Sequence, residues 1–474
     1  MKGVYTGDEV RAAETALMAR LPDGALMQRA ARAVSVHCGL ILPRVYGARV
    51  VLLVGRGNNG GDALFAGAEL AARGARVTAL LLDPEHAHAD GVVALDRAGG
   101  RTAGADPAAI DGADLVVDGI VGIGGRGALR GAAIELAAAA ADVPTLAVDV
   151  PSGVDADTGW VGDDAIRADV TVTFGALKPG LVVGPGAGLA GEVRLVDIGL
   201  GPHLPPVRTQ LLEASDVRAL LPQPDAADDK YTRGVVGVAA GSEQYAGAGV
   251  LATGAAVHGG AGMVRYVGTA PDQIRARYPE VIVHPEARPN DVRVQAWVVG
   301  PGLGTDDTAM SLLSDVLRTD LPVIVDADAI TLVARSPGLV RARSAPTVLT
   351  PHDREFARIA DRPSADRLAS VRRVAHDLGA TVLLKGNATV IAAADGTAYV
   401  NATGTPWLGT AGSGDVLSGL IGSLLAAGLP APLAAAAGAY VHGVAGQRAG
   451  ADGPPSATDV LGELRAALRS ITAG

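Results

Sequence analysis

Gly412, Ser413, Gly414 and Asp415 stand just before an apolar run with helical spacing: Val416, Leu417, Leu420, Ile421, Leu424 and Leu425. Small residues at a helix start leave the first backbone N–H groups open to an anion. A carboxylate beside them can take the proton of a hydroxyl that attacks a phosphoryl group. The same residues also fit a glycine turn with an aspartate capping a helix. Other polar residues close strand-like runs in this half. Asp326 and Asp328 follow Pro322-Val-Ile-Val325, and their spacing predicts one shared strand face that could hold magnesium directly or through water. His352, three residues before Glu355, is a candidate ligand contact, and Lys385-Gly386 a candidate phosphate site. Trp407 reads as packing.

A second set lies in the first half. Arg49-Val-Val-Leu-Leu-Val54 is a continuous aliphatic strand that runs into Gly55-Arg-Gly-Asn-Asn-Gly-Gly-Asp62. A helix is predicted from Leu64 to Ala72 and a strand from Val77 to Leu82, making one βαβ unit whose turn lies where open α/β sheets bind ligands. Gly55, Gly57 and Gly60 match G-x-G-x-x-G, and Asp83 follows about twenty residues on, as in dinucleotide-binding units. That match alone would suggest an NAD-linked dehydrogenase. The adjacent amides Asn58 and Asn59 are more specific, since they offer carbonyl oxygens to a cation and N–H donors to phosphate. Three further strands end in polar loops: Leu115–Asp118 before Gly119–Gly127, Thr145–Asp149 before Val150-Pro-Ser-Gly153, and Thr171–Phe174 before Gly175-Ala-Leu-Lys-Pro-Gly180. On one rim, Asn59, Asp118 and Ser152 could seat a cation.

These residues need a scaffold of alternating strands and helices, and the composition supplies one. Across 474 residues, 49% are apolar, 19% charged and 3% aromatic, which excludes disorder and suits parallel sheets covered by small helices. That length predicts at least two domains. The Pro/Gly-rich stretch 199–206 reads as a linker. Net charge is −10, which excludes a nucleic-acid surface. The single cysteine, Cys38, fits a reducing compartment. Asp8, Glu9, Arg11 and Glu14 lie in the first helical pattern, so no signal peptide is expected. The uncharged run Val416–Gln447 is long enough to span a bilayer, but Gly428-Leu-Pro-Ala-Pro432 breaks it into two buried helices. No membrane segment is predicted, and a cytoplasmic protein is expected.

Val54-Gly-Arg-Gly-Asn-Asn-Gly-Gly-Asp62, Asp118 with its glycines, and Asp149-Val-Pro-Ser-Gly153 together resemble the NAD(P)H-hydrate epimerase family over about residues 1–205. Arg56, Ala63 and Val121 stand where Lys, Gly and Phe are commoner. The resemblance implies hydrated-nucleotide contacts at Asn58, Asn59, Gly60, Gly61, Asp62, Gly122, Gly124, Arg126 and Gly127. It implies Asp149 as the reacting carboxylate and Asn59, Asp118 and Ser152 as potassium ligands. From about Lys230 onward the chain resembles the ADP-dependent NAD(P)H-hydrate dehydratase family, within the ribokinase-like fold. That likeness implies Asp415 as base, hydrate contacts at Ala248, Gly302 and His352, and nucleotide contacts at Lys385, Gly386, Asn387, Ala388, Thr389, Gly412, Ser413 and Gly414.

The expected fold is α/β with two doubly wound domains, a Rossmann-like three-layer domain over 1–205 and a ribokinase-like domain over 206–474. The implied activity is epimerisation of R- and S-NAD(P)H hydrates and dehydration of the S form. ADP would be the phosphoryl donor, AMP and phosphate would be released, and magnesium and potassium would take part. The substrates would be NADHX and NADPHX, acted on by a homo-oligomer that binds no nucleic acid or membrane. The alternative is a ribokinase-like small-molecule kinase fused to a non-catalytic nucleotide-binding module.

Overall fold

The computed structural model describes residues 1–125, 127–285 and 288–473, and these form two compact units. Arg126, expected at the hydrate site, lies outside the described residues.

Residues 3–207 make the first unit. Its sheet has seven parallel strands, and the aliphatic Arg49–Val54 strand lies between Arg76–Leu81 and Leu115–Gly119. Chain order reverses there. The sheet continues on one side to Arg101–Gly104 and on the other through Thr145–Val148 and Val170–Phe174 to Glu192–Val196. A crevice opens beyond the carboxyl ends of strands at such a switch point. Helices Gly7–Met18, Ala25–Ile41 and Asn58–Ala72 bury Val10, Leu17, Val34, Leu64 and Leu70 together with strand residues Leu52 and Val54. Cys38 is a free, buried thiol in that layer. Burial pushes its pKa up to about 12, which makes it inert.

The Asn58–Ala72 helix corrects a sequence expectation. A helix was predicted only from Leu64, yet it begins at Asn58, with Gly57 at φ 80° as its N-cap. The amides Asn58 and Asn59 therefore form its first turn. A Cβ at Gly55 would run into the Ile120 carbonyl, so only glycine lets the two strand ends approach.

Residues 208–474, together with Met1 and Lys2, form the second unit around an eleven-stranded sheet. Val235–Ala239 pairs in parallel with Met263–Val267 and Ala296–Val299, and the ladder continues through Val323–Val325 and Thr347–Leu349 to Thr381–Leu384. Thr389–Ala392 and Ala398–Asn401 then add antiparallel strands. The uncharged run forms helices Ser413–Ala426 and Ala431–Ala449, parted at the proline turn as expected. Val416, Leu420, Ile421 and Val441 are wholly buried in the core they share with Val236, Val298 and Ile324. Among the described residues no helix is long and apolar enough to cross a membrane.

Candidate active sites

In the first unit a cavity of about 790 Å³ opens at the switch point, lined by Asn58, Asn59, Asp62, Gly122, Gly124 and Asp149. Asp149 follows its strand at φ 68°, a left-handed conformation uncommon outside glycine that often marks a functional position. Its Oδ1 accepts from Lys178 Nζ at 2.6 Å and Thr173 Oγ1 at 3.1 Å, and Oδ2 accepts from Ile123 N–H at 3.2 Å. Lys178 also donates to Thr173 Oγ1 and the Phe174 carbonyl, so its buried ammonium is fully partnered. A Cβ at Gly122 would sit 2.9 Å from Asn59 Oδ1 and 3.0 Å from Asp149 Oδ2, so only glycine leaves room between them.

Asp62 is nearly buried, and its Oδ1 has no hydrogen-bond partner. Burial, then the charges of Asp149 and Glu14, raise its pKa well above the ordinary carboxylate range. Glu14, on the Gly7–Met18 helix, lines the same cavity and is raised chiefly by burial and next by Asp149. Gly60 packs on the Gly55 carbonyl, Gly61 against His88 and Met27, and Gly127 near Trp160.

Asp118 lies deeper and is completely buried. It accepts from Ser152 N–H at 2.8 Å, Ser152 Oγ at 2.7 Å and Ile120 N–H at 3.2 Å. Burial pushes its pKa up to about 6 against those hydrogen bonds. No basic side chain is among these partners, and the buried Asn59 Nδ2 has no partner either. Carboxylate and hydroxyl oxygens at a buried acid with no basic partner suit a hard cation.

In the second unit Gly412, at φ 90°, caps the Ser413–Ala426 helix and Asp415 stands in its first turn. Ser413 Oγ donates to the Leu408 carbonyl at 2.6 Å, which ties down the preceding turn. Burial, then the charge of Asp326, raises the Asp415 pKa to about 7, although Lys385 opposes the shift. Residues Lys385–Ala388 form the tip of a hairpin between Thr381–Leu384 and Thr389–Ala392. Thr389 Oγ1 donates to the Gly386 carbonyl at 3.1 Å. Arg367 donates to the Lys385 carbonyl at 3.2 Å and grips Asp353 with both terminal nitrogens. Burial lowers the Lys385 pKa, but Asp326 and Glu355 outweigh it and hold the lysine above its usual value.

The carboxylates Asp326 and Asp328 do not share a strand face. The strand ends at Val325, Ala327 turns the chain at φ 50°, and Asp328 opens the next helix. Asp328 Oδ2 accepts from Gly304 N–H at 2.9 Å, while both oxygens of Asp326 are taken by Lys385 and Ser418. Among the described residues no group of three or more His, Cys, Asp or Glu could hold a metal ion. His352 caps the Asp353–Ile359 helix, its Nδ1 accepting from Arg354 and Glu355 N–H while the Glu355 carboxylate accepts from His352 N–H. Its ring remains exposed. Gly302, at φ 60°, lies so near Ala248 that an added Cβ would be 2.8 Å from the alanine methyl. Lys178, Glu14, Arg367 and Ser418 had no assigned role in the sequence reading. The Lys-Pro-Gly loop after Phe174 was a signal for Lys178; the others carry none.

Known proteins resemble both halves of this chain. A family model described as NAD(P)H-hydrate dehydratase matches residues 236–462, and one described as YjeF-related protein N-terminus matches residues 23–180. A bifunctional NAD(P)H-hydrate repair enzyme from Mycobacterium tuberculosis is 51% identical over 99% of this chain and 100% of its own length. Its counterpart from Mycobacterium leprae is 50% identical over the same shares. A ribokinase-like superfamily protein from Enterococcus faecalis superposes with a TM-score of 0.51 and 27% identity, covering 56% of this chain and 97% of that one. The second unit is ribokinase-like, and the chain belongs to the bifunctional NAD(P)H-hydrate repair enzyme family.

Proposed function

We propose that the first unit interconverts R- and S-NAD(P)H hydrates and that the second dehydrates the S-hydrate at the expense of ADP. The observation that carries this reading is Asp415, a carboxylate with a pKa of about 7 in the first turn of a helix whose N-cap is glycine. A base poised near neutrality can take the ring hydroxyl's proton as that oxygen attacks the β-phosphoryl group of ADP. The amides of Gly412, Ser413 and Gly414 would hold the transferred group, and Lys385 with Gly386, Asn387, Ala388 and Thr389 the rest of the nucleotide. Loss of phosphate from the phosphorylated hydrate then leaves the dihydronicotinamide, with AMP and inorganic phosphate as the other products. Ala248, Gly302 and His352 would receive the hydrate.

Magnesium would arrive on the phosphates of ADP, whose oxygens suit that hard cation, while both oxygens of Asp326 accept hydrogen bonds from Lys385 and Ser418. In the first unit Asn59, Asp118 and Ser152 fit potassium, whose charge would offset the buried carboxylate. There Asp149, held by Lys178, faces the hydrate beside Asn58, Asn59, Asp62, Gly122 and Gly124. A cytoplasmic homo-oligomer acting on NADHX and NADPHX completes the reading.

Phosphorus NMR of a reaction with S-NADH hydrate and ADP tests it. Equal release of AMP and inorganic phosphate is expected. A stable phosphorylated product would instead identify a small-molecule kinase.

A further inference from the structure

Asp326 is 1% exposed, and each of its carboxylate oxygens accepts a hydrogen bond. Lys385 Nζ donates to Oδ1 at 2.9 Å and Ser418 Oγ donates to Oδ2 at 2.7 Å. Ser418 is wholly buried and belongs to the same helix as Asp415, so the base and the brace share one rigid element. Lys385 reaches in from the hairpin. A Cβ at Gly414 would lie 3.1 Å from Lys385 Nζ and 3.9 Å from Asp326 Oδ2, which puts ammonium and carboxylate against the helix's first turn. Glu355 Oε2 is the lysine's second acidic neighbour, at 3.7 Å.

A lysine side chain loses much rotamer freedom when it is fixed, so it needs a strong seat to hold one pose. The Lys385 charge also bears on Asp415 and favours its ionised form, so where the ammonium is seated matters to the base. We propose that Asp326 is a positioning residue of the dehydratase: braced by Ser418, it seats Lys385 against Gly414, and its negative charge acts on Asp415 independently of the brace. The proposal rests on the phosphoryl-transfer reading of this site. It gives Asp326 a geometric role. A Ser418–Asp326–Lys385 chain thereby links the helix, the strand end and the nucleotide hairpin.

The groups that bear on Asp415 are Asp326, Lys385, Asp328 and Glu355. His442, on the Ala431–Ala449 helix, contacts the Ser413 backbone and is held neutral by burial. Asp326→Asn keeps the shape and removes the charge. It should move the acid limb of kcat/KM for the S-hydrate down by at least about one pH unit, with about a tenfold loss in plateau kcat from the weaker base. An unmoved acid limb would overturn the proposal.

Ser418→Ala keeps the charge and removes the brace. The acid limb should stay in place while KM for ADP rises about tenfold, and Ser418→Thr should restore it. Wild-type kinetics in Ser418→Ala would also overturn the proposal, and this pair decides the matter if Asp326→Asn does not fold. If wild-type protein releases no phosphate from ADP and S-hydrate, the functional reading fails. Calorimetry of ADP binding then still separates the two claims, because weaker binding by Ser418→Ala supports the seat and equal binding refutes it.

Discussion

Lys178 Nζ lies 2.6 Å from Asp149 Oδ1 with its side chain 1% exposed, so the carboxylate that lines the first unit's cavity is anchored from below by a buried ammonium. Removing one partner of a buried pair leaves the other uncompensated, at about 3–5 kcal/mol. Asp149 keeps some contact with the cavity, which favours the low end. Lys178→Met should lower the urea midpoint of the full chain and slow epimer exchange at least about tenfold, with ADP-dependent dehydration of S-hydrate unchanged. An unaltered exchange rate would confine Lys178 to stability.

Asp149→Ala removes the carboxylate and spares the second unit. R-to-S conversion, followed by proton NMR of separated epimers, should slow about a hundredfold or more. An exchange rate equal to wild type would remove Asp149 from the mechanism.

For Asp415, burial raises the pKa first and the Asp326 charge adds to it, giving about 7. A base acts when ionised, so dehydration should fall as pH drops through about 7, long before an ordinary carboxylate titrates near 4. Initial rates between pH 5.5 and about 8.5 measure that limb. Asp415→Asn should lose about a thousandfold or more in kcat and keep full epimerisation. Appreciable residual turnover would exclude Asp415 as the base.

The imidazole of His442 supplies a stability prediction. Burial, its largest influence, lowers its pKa from 6.5 to about 4, and its Nε2 has no partner. The unfolded chain takes up a proton below 6.5 and the folded chain only near 4. The associated stability is therefore full above 6.5 and lost as pH falls through that window, by about 3 kcal/mol. His442→Gln should flatten the urea midpoint between pH 6.5 and 4. A midpoint slope like that of wild type would show that His442 is not the group titrating.

The strand Arg49–Val54 was readable because its aliphatic run Val50–Val54 is what a parallel sheet buried on both faces requires. The start of the Asp415 helix was readable because small residues and apolar periodicity coincide there. The Asp326–Asp328 pair was misread because a strand end and a φ of 50° at Ala327 leave no mark in residue type. Lys178 was visible only as one residue of a polar loop; its role needs Asp149, far away in sequence, folded over it. Glu14 sits on a helix that reads as an ordinary charged surface segment, and only tertiary packing turns it into the cavity.

The most direct test of the two-unit repair account is NADH recovery from a mixture of R- and S-NADH hydrates, with ADP as donor and a parallel run with ATP. The account predicts complete, enzyme-paced recovery with ADP, matched by equal AMP and phosphate. Recovery that stops at the S fraction would contradict catalysis by the first unit, and no recovery with either donor would contradict dehydration by the second.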